Sequence, residues 1–168
     1  MELSNNSSLD SHTEYPTSYI RELLYNLSDG QLLTLRPRGC SMFPFFSGNR
    51  DTLFLKRCKQ NPKKGDIVLY VRANGVHVVH RIHHIEKSEG RLRYYMLGDN
   101  QTEVEGPLES DCILGIVVKI KRKNRLISCS SFLYRFLSAL WLFFLPVRPF
   151  LLRCIRSLRK AFHPKRSV

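Results

Sequence analysis

Acidic residues are missing from the last third of this chain. Positions 119–168 hold no Asp or Glu but 13 Lys and Arg, while the 14 basic residues before them are matched by 14 acids. The formal net charge of +13 over 168 residues therefore belongs to the tail. That excludes a uniformly basic domain and points to a basic appendage facing an anionic surface. Paired cysteines are missing too. Five cysteines with no C-x-x-C pair give neither a disulfide framework nor a zinc-site spacing, and reduced thiols fit best. The first twenty residues, MELSNNSSLDSHTEYPTSYI, lack an apolar core and read as neither a secretory signal nor an N-terminal anchor. No charge-free apolar run reaches the roughly 20 residues a spanning helix needs; the longest, 136–147, falls short.

What is present divides the chain into three. Residues 1–17 are polar and expected to be flexible. Residues 18–125 read as one mainly β domain. Tyr19, Leu23, Leu24 and Leu27 are spaced like one face of a short N-terminal helix, and Ser28-Asp29-Gly30 stops it. QLLTLRPRG, DTLFLKRC, RLRYYML and CILGIVVKIKR read as strands, and IVLYVRANGVHVVHRIHHIE as two strands joined by a hairpin at Ala73-Asn74-Gly75. Short strands at close spacing with little helical periodicity predict coiled β-sheets. Residues 126–168 form an apolar and basic helical tail. FLYRFLSALWLFFLPV has a lipid-facing composition, and basic clusters on both sides give none of the asymmetry that orients a single span. The tail fits a helix or hairpin broken at Pro146 and Pro149 and lying in an anionic leaflet, where each Lys or Arg adds about 1 kcal/mol. The competing reading packs it on the β domain as a core helix. Nucleic acid is not expected as a partner, because the basic residues alternate with aliphatics rather than with exposed stacking platforms.

Three segments carry candidate chemistry. RPRGCSMFPF sets Cys40 beside Ser41 between Gly39 and Met42-Phe43-Pro44. His77, His80, His83 and His84 follow, and then Gly98-Asp99-Asn100 with acids at Glu103 and Glu105. A hydroxyl, an imidazole and a carboxylate are the parts of nucleophilic acyl transfer, since serine needs a base within reach and the base an acid to fix its tautomer. Strand alternation would put Cys40 on the side opposite Ser41. It would also split the histidines, His80 with His84 and His77 with His83, which argues against a metal site. Met42 reads as a core or pocket-floor side chain.

These segments, in this order, resemble the signal peptidase and LexA superfamily of serine peptidases. Ser41-Met42-Phe43-Pro44 matches the nucleophile motif, Gly65-Asp66-Ile67-Val68 a G-D-x-V strand, His80-Arg81 the base pair and Gly98-Asp99-Asn100 a G-D-N box, before a closing strand with Gly115. The likeness runs from about Leu32 to Lys121. With histidine where many members have lysine, it is closest to the serine-histidine branch found in archaeal, endoplasmic-reticulum and spore-former signal peptidases. It implies a signal-peptidase/LexA-like coiled β-sheet domain and a serine endopeptidase in which Ser41 attacks and His80 is the base. Asp99 or Glu105 orients His80. Gly39, Cys40, Met42 and Pro44 form the oxyanion and substrate-binding surroundings, and no cofactor or metal is implied. Gly39 departs from the serine common two positions before the nucleophile, which leaves the oxyanion to backbone N–H groups.

The expected function is thus proteolytic processing of a peptide or precursor protein at a membrane, taken to be the cytoplasmic membrane. The alternative is a catalytically weak, membrane-tethered peptide-binding module of the same fold. An unperturbed histidine base predicts activity that rises with pH through about 6 to 7.

Overall fold

The computed structural model describes residues 8–9, 15–48 and 50–162. The alternating apolar stretches after position 30 fold into one sheet. Its strands are β1 (Ser8–Leu9), β2 (Leu33–Leu35), β3 (Asp51–Arg57), β4 (Ile67–Val71), β5 (His77–Ser88), β6 (Arg91–Leu97), β7 (Glu105–Glu109), β8 (Ile113–Arg122) and β9 (Arg125–Ser128). The spatial order is β1-β2-β3-β8-β4-β5-β6-β7, with β9 folded back on β8. All pairings are antiparallel except β1 on β2. Register shifts at Phe54/Leu55, Leu69/Tyr70, Ile82/His84 and Tyr94/Met96 add local bend and twist to the sheet. Helices are α1 (Thr17–Tyr25), α2 (Phe132–Phe143) and α3 (Arg148–Phe162). The expectation of a mainly β domain with a short N-terminal helix and a helical tail holds.

Strand β4 sits in mid-sheet and is buried on both faces, which is why its sequence IVLY is continuously apolar. Ile67 and Leu69 face one core cluster with Leu33, Leu53, Leu55 and Ile120, roofed by Ile20 and Leu24 of α1, by Met42 and Phe46, and by Tyr134 of α2. Val68 and Tyr70 face the other, with Ile82, Tyr94, Met96 and Ile113. The buried face of α1 is Ile20 and Leu24, with Leu23 and Leu27 at its border. Tyr19, expected on that face, is exposed.

The expected boundaries need adjustment at both ends. Ser8–Leu9 pairs with Thr34 and Leu35, so part of the segment expected to be flexible is a strand; residues 1–7 and 10–14 lie outside the described residues. The cut at 125/126 falls inside β9, which pairs with β8 through Ser128. The tail is also no free appendage. Tyr134, Ser138, Arg148 and Leu152 are buried, while Phe132, Leu133, Phe136, Phe143 and Phe150 are exposed. The two readings of the tail are thus divided between opposite sides of its helices: one packs on the β domain, the other stays apolar and uncovered. No single described helix is long and apolar enough to cross a membrane. Only α2 joined to residues 145–155 has the length, and that pair is bent by 69°.

Candidate active site

Ser41 lies in a run of turns between β2 and β3. The loop closes on itself: Gly48 N–H donates to Gly39 O at 2.7 Å, Phe43 N–H to Cys40 O at 3.0 Å and Phe46 N–H to Met42 O at 3.0 Å. Gly39 has φ 75°, the left-handed region that a serine would occupy only under strain. Glycine stands there for backbone reasons. The N–H groups of Ser41 and Met42 donate to nothing among the described residues, which leaves them available to an oxyanion.

The G-D-N box holds this loop from behind. Asn100 N–H donates to Ser41 O at 2.7 Å, and a Cβ on Gly98 would lie 2.8 Å from that same oxygen, so only glycine permits the approach. Asp99 is turned toward Arg81. Its carboxylate receives Arg81 Nε at 2.9 Å and Arg81 Nη2 at 2.7 Å, with both side chains essentially free of solvent. Arg81 also donates to Gly65 O and Ser138 Oγ and stands 4.6 Å over the Phe45 ring. Asp99 makes no hydrogen bond to His80. The Arg81 pair ties the G-D-N turn to β5.

His80 is placed by the β4–β5 hairpin. The three-residue turn Ala73-Asn74-Gly75 is closed by Arg72 N–H to Val76 O and Gly75 N–H to Arg72 O. It sets Val68 opposite His80 and Tyr70 opposite Val78. Alternation then puts Val68, Tyr70 and Arg72 on the same face as His80, with Tyr70 at its diagonal position. Tyr70 Oη lies 3.1 Å from His80 Nδ1 and donates to Glu105 Oε2 at 2.8 Å. Arg72 grips Glu105 through two bonds of 2.7 Å. Of the two acids left open by the sequence, Glu105 is the one connected to His80, and the connection runs through Tyr70. Arg72's hydrogen bonds hold Glu105 below the usual carboxylate range. Burial pushes His80 down to about 4, with the opposing charges of Glu105 and Arg72 acting as smaller influences.

Ser41 and His80 line one cavity of about 790 Å³, whose walls include Leu35, Gly39, Met42, Val79 and Gln101. Ser41 Oγ makes no hydrogen bond among the described residues; such bonds commonly tighten only around substrate. Met42 is buried and forms part of the cavity wall, as expected of a pocket-floor side chain. Cys40 and Pro44 do not line the cavity. Cys40 is exposed, 3.8 Å from Asn100 Nδ2. The expected division of the histidines changes as well. The register shift between Ile82 and His84 carries Ile85 to the Tyr70 face, so His84 turns to the opposite one and stacks on Tyr95 at 4.1 Å. Among the described residues no group of three or more His, Cys, Asp or Glu side chains could hold a metal ion.

Four residues of this region escaped the sequence reading. Tyr70 and Arg72 could have been found from the hairpin, because the loop length fixes the register. Trp141 and Arg148 offered no local signal. Trp141 Nε1 donates to Asp99 O at 3.0 Å, and buried Arg148 donates to Gly98 O at 3.2 Å and Gln101 O at 3.0 Å. The tail helices therefore hold the turn that holds Ser41. No protein-family model and no curated protein matches the chain.

Proposed function

We propose that the chain is a serine endopeptidase of the signal-peptidase/LexA type that processes a peptide or precursor protein at an anionic membrane surface. The observation that carries this reading is the shared cavity, with Ser41 and His80 on its walls and the His80 Nδ1 side already engaged. Ser41 Oγ attacks the peptide carbonyl while His80 Nε2 takes its proton, and the oxyanion develops against backbone N–H groups of the 39–42 turn. Collapse breaks the C–N bond as His80 returns the proton to the leaving amine. Water, deprotonated by His80, then hydrolyses the ester and regenerates Ser41. Substrate binds as an added strand beside the motif. Ser8–Leu9 already occupies the outer edge of β2, so a substrate strand either displaces it or lies along the opposite cavity wall at residues 76–79.

Ser41→Ala and His80→Ala should each reduce cleavage of a co-expressed precursor by at least ~1000-fold with the circular dichroism spectrum unchanged. Cleavage retained by either variant would remove the assignment. The unbonded Ser41 hydroxyl favours a second reading, a membrane-tethered peptide-binding module. A serine-directed acylating probe separates the two, because only a working peptidase is labelled at Ser41.

A further inference from the structure

The proton inventory around His80 is fully determined by its neighbours. Glu105, held ionised by two bonds from Arg72, can only accept. Tyr70 has a single proton, and Glu105 Oε2 at 2.8 Å takes it. The phenol therefore has only lone pairs to offer His80 Nδ1 at 3.1 Å, and that nitrogen must carry the hydrogen. Its partner Nε2 is then unprotonated, and His80 is among the residues that line the cavity with Ser41. Asp99 does not substitute, since its carboxylate is paired with Arg81 and makes no hydrogen bond to His80.

We infer that Tyr70 is a positioning residue that links Glu105 to His80, fixing the Nδ1–H tautomer so that Nε2 is the proton acceptor. The inference rests on the peptidase reading for its kinetic meaning, but the tautomer itself does not. Arg72 gives the relay a particular character. Because the guanidinium largely offsets the Glu105 charge, the relay fixes the orientation and tautomer of the imidazole more than it stabilises an imidazolium. A carboxylate bonded directly to the ring would do both.

Nitrogen-15 NMR of the ring nitrogens in the full-length protein, with His80 identified by comparison with His80→Gln, reads the tautomer without reference to activity. The expected result near neutral pH is a protonated Nδ1 and an unprotonated Nε2. A protonated Nε2 in the unaltered protein would overturn the inference before any variant is made. Tyr70→Phe keeps the buried ring and removes only the hydroxyl. It should shift His80 toward the Nε2–H form and lower kcat roughly 10-fold to 100-fold with KM unchanged. Glu105→Gln should cost far less in the Tyr70→Phe background than alone, whereas additive losses would show that the two act separately. An unaltered His80 spectrum in Tyr70→Phe would refute the relay even if Ser41→Ala is inactive. The expected spectra with no probe labelling at Ser41 would uphold the relay while removing the peptidase.

Discussion

His80 and Asp99 are both buried, yet their neighbours give them different duties. His80 faces Tyr70, Glu105 and Arg72, and its burial pushes the imidazole down to about 4. In the proposed mechanism the neutral form is the base, so activity is gained as pH rises through the folded pKa. The acid limb of kcat/KM is expected near 4, not at 6 to 7 as an unperturbed histidine would give. Removing a nearby positive charge favours the imidazolium, so Arg72→Gln should move that limb upward, and a limb that moves down or stays would contradict the assignment of charges. The same shift has a stability consequence. With the folded pKa below the unfolded value, stability from neutral His80 is complete above about 6.5 and is lost as pH falls toward 4, on the order of 3 kcal/mol, measurable by urea unfolding at the two pH values. Asp99 behaves otherwise. Asp99→Ala leaves Arg81 charged and unpaired inside the protein, and should cost about 3–5 kcal/mol in the same experiment.

At the scale of elements, the G-D-N turn is clamped between the Ser41 loop and the tail helices. Its three backbone carbonyls at Gly98, Asp99 and Gln101 are bonded by Arg148 and Trp141, across separations of 42 to 50 residues. Arg148→Met retains roughly the volume but removes the guanidinium bonds to Gly98 O and Gln101 O. It should lower stability by about 1–3 kcal/mol and speed amide exchange at Asn100, whose N–H bonds Ser41 O. Unchanged exchange at Asn100 would mean that the tail does not support the nucleophile's loop. The motif residues thus depend on helices that look, by composition, like a tether.

For the whole molecule, the relevant asymmetry is that the packed side of α2 and α3 holds the site while the exposed side is aromatic and the surrounding charge is positive. Phe132 is 86% exposed and Phe143 77%, far more than a soluble core helix leaves open. Binding to vesicles containing anionic lipid should be strong at low salt and weaken as salt rises, with neutral vesicles bound far less. Leu133→Glu with Phe136→Glu should reduce vesicle binding at least ~10-fold without changing the urea midpoint appreciably, since both side chains face outward. A loss of fold in that double variant would instead place this face in a protein core.

Much of this architecture could be read from local pattern. Alternation over DTLFLKRC, IVLYV and CILGIVVKIKR, together with the Asn-Gly turn, marked β3, β4, β8 and the β4–β5 hairpin, because side-chain period and turn chemistry are short-range properties. The same locality made Ser41 and His80 visible. Three other features were decided only by the folded chain. Which acid serves His80 depended on strand register and on Arg81 claiming Asp99. The face of His84 depended on a one-residue register shift. The docking of the tail helices on the G-D-N turn depended on contacts that span more than forty residues. Each is a competition among distant groups for a limited number of hydrogen-bonding partners, and neither spacing nor composition records who wins it.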